Sequence, residues 1–284
     1  MQKILADCGL QADRTTVIYG GDINEAWQIA CADKTYFLKI NNAGLYPGML
    51  QAEAAGLEAL RENSNLYIPA VIKSGKAINK QYLLLEWIEK GQPATDFWEN
   101  FGRELARLHQ KAQPYFGWTS DNYIGRLKQP NNKQDTWDEF YTEYRIMPLV
   151  EMLFNKGLFN RTDINAAGHY CNQLDSLFPV EHPSLLHGDL WSGNYTITPD
   201  GQACIFDPAV YFGHREMDLG MTRLFGGFDE RFYAAYNEVY PLEKGWEKRL
   251  KLTEAYPLLV HAVLFGGFYT GRAREILSYF NDWT

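Results

Sequence analysis

The segment His187-Gly188-Asp189-Leu190-Trp191-Ser192-Gly193-Asn194, followed by Ile205-Phe206-Asp207, puts an acid, an amide and a second acid in one short stretch. Phosphoryl transfer from ATP needs such a set. One carboxylate accepts the proton of the attacking hydroxyl, and an Asn and an Asp hold the Mg²⁺ ions that bridge the phosphates. Asp189 and Asn194 stand five residues apart, the spacing of the kinase catalytic loop H-R-D-x-x-x-x-N, with Gly188 in place of Arg. Asp207 falls where D-F-G would supply its Asp, here before Pro208. Any one of these residues alone reads equally as a turn acid or a buried amide. The ordered set points to Asp189 as base and to Asn194 and Asp207 as metal ligands.

A phosphate-binding cation comes from upstream. Lys39 interrupts the apolar run Tyr36-Phe37-Leu38-Lys39-Ile40, and burying it alone would be costly. Glu53, with Glu58 and Glu62 as rivals, lies on the following helical stretch. A strand Lys paired with a helix Glu is the kinase arrangement for the α- and β-phosphates. Gly20-Gly21-Asp22-Ile23-Asn24 sits between two strand-like runs, where small residues let backbone N–H groups approach phosphates. The same stretch also suits a hairpin turn. Leu83-Leu84-Leu85-Glu86-Trp87-Ile88 is a buried strand by pattern and stands where a kinase hinge meets adenine. No Walker A motif, G-x-S-x-G elbow or H-E-x-x-H occurs.

The elements that must carry these residues divide near positions 86–93. The early part reads as strands over 15–19, 26–31, 35–40, 71–72 and 82–87, with a turn at Asp33-Lys34 and a helix over Met49–Glu62. Tyr82 to Trp87 is nearly all apolar, as expected of a central strand. The later part reads as helices over 98–111, 137–154, 164–177, 231–240 and 246–280, the last broken near Pro257. Short apolar runs with turns fill 185–207.

Composition bounds the class. The 284 residues carry 27 Lys and Arg against 35 Asp and Glu, a net charge of −8, which argues against a nucleic-acid binder. Hydrophobic residues are 46% and aromatics 15%, so a chain of this length buries a real core. Leu258 to Phe268 is the best apolar run but falls short of the roughly 18 residues that span a bilayer. Met1 to Leu10 contains Asp7 and does not read as a signal peptide. Cys8, Cys31, Cys171 and Cys204 are scattered without a C-x-x-C pair, so neither a zinc framework nor a disulfide scaffold is expected. The sequons at Asn160 and Asn194 then read as chance. These features describe a cytoplasmic protein with no membrane or nucleic-acid partner.

At this point the sequence resembles the fructosamine kinase (ketosamine kinase) family, within the aminoglycoside phosphotransferase and choline kinase-like group. The resemblance rests on the H-G-D-L-W-S-G-N segment at 187–194 and on Asp207-Pro208-Ala209-Val210-Tyr211-Phe212-Gly213-His214-Arg215-Glu216-Met217-Asp218-Leu219. Asp121-Asn122-Tyr123-Ile124-Gly125, Trp137-Asp138-Glu139-Phe140-Tyr141 and Leu264-Phe265-Gly266-Gly267 add to it. These motifs cover nearly the whole chain in order.

The resemblance implies an α+β, protein-kinase-like bilobal fold. A small β-rich N-lobe (1–88) would bind nucleotide, and a larger, mainly helical C-lobe (89–284) would carry the catalytic and substrate site. Asp189 would be the base, Asn194 and Asp207 the Mg²⁺ ligands, and Lys39 and Glu53 the phosphate-positioning pair. Gly20, Gly21 and Asn24 would belong to the phosphate loop, and Glu86, Trp87 and Ile88 would meet adenine. His187, Trp191, His214, Arg215 and Asp218 would serve the sugar side or brace the catalytic loop, with bracing ahead for Asp218.

The implied reaction uses ATP and Mg²⁺ to phosphorylate a sugar hydroxyl of a ketosamine, a fructosamine or ribulosamine. The 3-phosphorylated product decomposes and frees the amine, a deglycation repair. Alternatives are the same chemistry on another small hydroxyl acceptor, as in aminoglycoside or choline kinases, or a nucleotide-binding pseudokinase. Asp22 stands where many members carry a redox-sensitive Cys, which sets redox control by that loop aside. No A-P-E signature occurs, which disfavours a protein kinase.

Overall fold

The computed structural model describes residues 1–20 and 23–279, so Gly21 and Asp22 of the expected phosphate loop, and Phe280 of the expected last helix, lie outside the described residues. Contacts group the chain into two units. One is Met1–Phe97 with Asn194–Ala209; the other is Trp98–Gly193 with the chain from Val210.

The first unit is built on a five-stranded antiparallel sheet. Its strands are β1 (Arg14–Ile18), β2 (Glu25–Cys31), β3 (Lys34–Asn42), β4 (Val71–Ala77) and β5 (Lys80–Glu86), in the order β1-β2-β3-β5-β4. The turn between β2 and β3 falls at Ala32-Asp33, one residue before the expected place. Side chains alternate across a strand. Leu38 and Ile40 of β3 therefore share one face, where they pack with Ile29, Tyr82 and Leu84. That face is covered by α1 (Gln2–Asp7) through Ile4, a helix too short for the sequence pattern to reveal. Phe37 and Lys39 point the other way. Gln81 to Leu85 of β5 is fully buried, as the apolar run predicts for a strand flanked on both sides. The helix α2 (Met49–Asn63) follows β3, close to the expected span.

The hairpin Tyr195–Ile197/Ala203–Ile205 belongs to this unit because its backbone pairs there. Tyr67 donates its N–H to the Ala203 carbonyl (3.3 Å) and accepts from Ile205 (3.0 Å), and Gly91 donates to Ile197 (2.8 Å). The grouping thus differs from a single cut at 88/89. A Cβ at Gly91 would overlap the Thr198 carbonyl, so only glycine allows this approach.

The second unit is mainly helical. The stretch expected as one helix over 137–154 is Trp137–Tyr141, a π-helical turn at Thr142–Ile146, and Met147–Asn155. The expected 164–177 helix is Arg161–Cys171 and Leu174–Leu177, with a break at Asn172-Gln173. The expected 246–280 helix is three: Trp246–Thr253, Ala255–Phe265 and Phe268–Tyr279. One break falls near Pro257 as expected, at Glu254, and a second falls at Gly266-Gly267. Pro257 is the third residue of its helix, where an N–H would have no intrahelical partner, so its ring costs nothing there. Among the described residues no helix is long and apolar enough to cross a membrane.

The π-helical turn places Arg145, which is completely buried, against Phe140, Tyr211 and Tyr256, with its guanidinium carbon 4.6, 4.3 and 5.5 Å from the ring centres. It donates to the Pro130 carbonyl (2.7 Å) and the Asn131 side-chain oxygen (2.6 Å). Asn131 and Gln129 both donate to Asn122, and the Tyr256 hydroxyl donates to Gln129 (2.6 Å). Among the described residues no carboxylate pairs with this cation.

Helix Phe97–His109 packs through Gly102 so closely that a Cβ there would overlap the Phe232 carbonyl oxygen. Gly102→Ala is expected to lower unfolding stability by about 2–3 kcal/mol, since backbone cannot yield as a side chain can. Urea denaturation checks this, and an unchanged midpoint would contradict it.

Candidate active site

In the second unit, strand Ser184–Leu186 pairs with Tyr211–Gly213 and delivers His187-Gly188-Asp189. Gly188 takes φ +83°, a left-handed conformation that favours glycine. Asp218, on helix Glu216–Leu224, accepts from the His187 N–H (2.7 Å) and the Gly188 N–H (2.9 Å). Its carboxylate also lies 3.2 Å from His109 Nε2, whose other ring nitrogen is 2.8 Å from the Tyr236 hydroxyl. Burial alone would raise the Asp218 pKa. The hydrogen bond from His109 and the Gly188 N–H outweigh it and hold the carboxyl below the usual aspartate value. Asp218 therefore braces the loop that carries Asp189.

A depressed folded-state pKa stabilises the fold above the ordinary aspartate value, and the contribution is lost as pH falls through the depressed one. Asp218→Asn is accordingly expected to cost about 3 kcal/mol at pH 7 and less at pH 3, below the ordinary aspartate value. Denaturant titrations at both pH values check this; an equal cost at both would refute the sign.

Asp189 donates its own N–H to His187 Nδ1 (3.2 Å) and lines a narrow cleft with Ile124, Tyr211, Met217, Tyr256 and His261. The Trp191 ring folds over Gly193, where a Cβ would overlap it. Trp191 packs on Phe225 (5.6 Å between ring centres), Phe225 on His261 (4.9 Å) and His261 on Tyr269 (4.9 Å). His261 Nδ1 lies 2.7 Å from the Pro257 carbonyl, and burial lowers its pKa. The neutral ring therefore donates at Nδ1 and keeps Nε2 as an acceptor. His214 and Arg215 do not line this cleft. Arg215 donates to both Glu181 oxygens (2.7 and 2.6 Å) and to the Tyr240 and Pro241 carbonyls, and His214 Nε2 faces the Pro179 carbonyl (3.3 Å).

In the first unit, Lys39 is 5% exposed and donates to Glu53 Oε1 (2.7 Å) and to the Asp207 carboxylate. Of the three glutamates on α2, Glu53 is the partner. Burial would lower the Lys39 pKa, but the Asp207 and Glu53 carboxylates raise it above the ordinary lysine value. Burial pushes Glu53 up to about 7; Lys39 opposes the shift and the Asp207 charge adds to it. Asp207 holds φ +56° just before Pro208. Such a conformation in a non-glycine residue costs energy and collects at functional sites. The hairpin register pairs Ile205 with Tyr195, and Phe206 donates to the Asn194 carbonyl (3.0 Å). Asn194 and Asp207 thus leave the same hairpin end.

The Asp207 carboxylate offers hard oxygen atoms beside Lys39. With the Asn194 amide this is a hard, oxygen-rich donor set that fits Mg²⁺, which takes few protein ligands and completes its shell from water and phosphate.

A cavity of about 210 Å³ adjoins Asp207, lined by Phe37, Pro69, Leu85, Trp87, Ile88 and Phe206, with Glu86 at its wall. It is an apolar slot with polar groups at its rim. The Glu86 carboxylate points away, accepting from the Tyr67 hydroxyl (2.7 Å) and the Ala70 N–H (3.1 Å). Trp87 donates its indole N–H to Glu89 (2.8 Å). Asn24 accepts from Asn41 (2.8 Å), which ties Asn24 to β3.

Sequence reasoning missed Asn41, Phe37, Pro69, Phe206, His109, Phe225 and His261. Phe206 and Phe37 flank singled-out residues, a signal that was available. His109 and His261 are isolated in sequence and gave none.

The chain as a whole is similar to known proteins. The fructosamine kinase family model matches residues 4–281. A Synechocystis protein named "Probable ketoamine kinase" is 39% identical over 263 residues, covering 92% of this chain and 88% of the relative. A Thermobifida fusca crystal structure assigned as a fructosamine-3-kinase superposes with a TM-score of 0.88 at 33% identity, covering 98% of both chains. Spectinomycin phosphotransferase, solved with ADP and spectinomycin, shares only the fold: TM-score 0.57 at 14% identity, over 99% of this chain and 93% of that one. The fold is thus the α+β, protein-kinase-like one. With the family model spanning residues 4–281, a range that includes the braced Asp189 loop and the Lys39–Glu53–Asp207 cluster, this chain belongs to the fructosamine kinase family.

Proposed function

We propose that the protein transfers the γ-phosphoryl group of ATP to a sugar hydroxyl of a ketosamine. The observation that carries this is the Lys39–Glu53–Asp207 cluster at the rim of an adenine-sized apolar slot in the first unit. That is a nucleotide site by its chemistry, and the bound ADP of a protein sharing the fold supports it.

Phe37, Leu85, Trp87 and Phe206 clasp the base. Lys39, held upright by Glu53, neutralises phosphate charge. Asn194 and Asp207 would hold Mg²⁺, which neutralises charge on the transferring phosphates when bound. Asp189 accepts the hydroxyl proton as the oxygen bonds to the γ-phosphorus and the bond to the ADP leaving oxygen breaks. The loop bracing by Asp218 keeps that carboxylate in place, so catalysis is mostly positioning. The aromatic wall Trp191–Phe225–His261 suits a cationic, amine-bearing sugar. Phosphorylation would turn the 3-hydroxyl into a leaving group, so that loss of inorganic phosphate followed by hydrolysis of the C–N bond by water frees the amine, which is the deglycation role in a cytoplasm that supplies ATP.

The test is acceptor-dependent ADP release with fructosyl-lysine, ribulosyl-lysine, choline and an aminoglycoside. Release with the glycated lysines alone supports the reading. Release with choline or the aminoglycoside alone would move the substrate class, and none with any acceptor would sink the enzyme.

A further inference from the structure

We propose that the sheet face opposite Phe37 carries an effector site for an anionic ligand with an aromatic body, coupled to the nucleotide cavity. The coupling rests on the nucleotide reading above; the site itself does not.

A groove of about 750 Å³ is lined by Lys34, Tyr36, Arg61, Tyr67, Ile72 and Trp87, among others. Its volume is that of a small-molecule site. Tyr36 pairs with Glu86 across β3 and β5, so these two groove residues stand on the sheet face opposite Phe37. Ile72 is 49% and Tyr67 37% exposed, leaving apolar surface open to a partner. Lys34 and Arg61 are exposed at the rim, and among the described residues neither makes an ion pair with a carboxylate. The acid on the wall, Glu86, is already engaged by the Tyr67 hydroxyl and the Ala70 N–H. Neutral donors do not cancel the Glu86 charge, but Lys34 and Arg61 still leave the lining one cation in excess, in a chain whose net charge is −8. Charge selects an anion, a carboxylate or phosphate that a guanidinium can grip with two N–H groups. The rings of Tyr36, Tyr67 and Trp87 select a flat apolar body.

Glu86 and Trp87 line both this groove and the cavity beside Asp207. Tyr67 adds a second link. Its hydroxyl holds Glu86, while its backbone pairs with Ala203 and Ile205, immediately before Phe206 and Asp207. A ligand that shifts the Tyr67 ring thus acts on two walls of the nucleotide cavity. Any such coupling must be reciprocal.

The experiment titrates the full chain with phenyl phosphate, benzoate and neutral benzyl alcohol by calorimetry, with and without ADP and Mg²⁺. Variants are Lys34→Glu/Arg61→Glu, at exposed positions with folding checked by melting, and Tyr67→Phe. The expected result is binding of an aromatic anion, about tenfold weaker for the alcohol and for the charge-reversed variant. The tighter of phosphate and carboxylate names the natural group. Saturating probe should shift the ADP Kd about fivefold or more, ADP should shift the probe Kd by the same factor, and Tyr67→Phe should bring that factor towards one. Binding of neither anion, indifference to charge reversal, or simple competition by ADP would overturn the site. Independent binding of probe and ADP would overturn the coupling. Failure of ADP to bind without probe would count against the nucleotide reading alone, and charge reversal would still decide the groove.

Discussion

Asp189→Asn is expected to cut turnover by about 10²–10⁴-fold while leaving nucleotide affinity and melting temperature nearly unchanged. The reasoning is geometric. The loop is fixed by its backbone: Asp218 takes the N–H groups of His187 and Gly188, and the Asp189 N–H is spent on His187 Nδ1. An amide of the same shape keeps those contacts but cannot accept a proton. Some activity should survive, because phosphoryl transfer relies on positioning and charge neutralisation as much as on the base. Steady-state kinetics with a glycated lysine, beside ADP calorimetry, read the two effects apart. A fall below tenfold would remove Asp189 as the base. A fall accompanied by lost ADP binding would reassign it to the nucleotide side.

Lys39→Met should have the other large effect, on stability and catalysis together. Lys39 is buried between the Glu53 and Asp207 carboxylates. Removing it leaves a buried glutamate facing another acid, at a cost of about 3–5 kcal/mol. The sign with pH follows from Glu53, which burial already pushes up to about 7 with Lys39 in place. A carboxyl that titrates higher folded than unfolded favours the fold when protonated, and this advantage is lost as pH rises through the folded value. The variant should therefore lose most at pH 8 and least near pH 5. Adding Glu53→Gln should return much of the stability without returning turnover, which separates the structural task of the pair from phosphate binding. Denaturant melts across pH and a turnover assay of both variants check this. A loss independent of pH, or restored turnover in the double variant, would contradict it.

The Lys39–Glu53 pair was legible because an ion in an apolar strand needs a partner, and the next helix offers one within reach. The choice among Glu53, Glu58 and Glu62 was not legible, since it depends on how α2 lies on the sheet. The Asp189 loop was legible as a pattern. Its bracing by Asp218 and His109 was legible only in part, because those contacts span 31 and 109 residues of sequence. The helix break near Pro257 was legible, and its exact place at Glu254 follows from the fit of proline in a first turn; the break at Gly266-Gly267 escaped, although a glycine pair is a stop signal. The hairpin at 195–205 reads as a detail of the helical region by position. Hydrogen bonds to Tyr67 and Gly91 place it with the sheet, and no local propensity encodes such a pairing.

The buried Arg145 has a consequence for folding. Its charge leaves water for carbonyl and amide oxygens supplied by residues 130 and 131, and for three rings supplied by residues 140, 211 and 256. No subset of these segments can host the cation alone. A chain that has formed the helices but not joined them must keep this guanidinium hydrated, and so must keep the interior open. The second unit should therefore bury this guanidinium only when those segments come together.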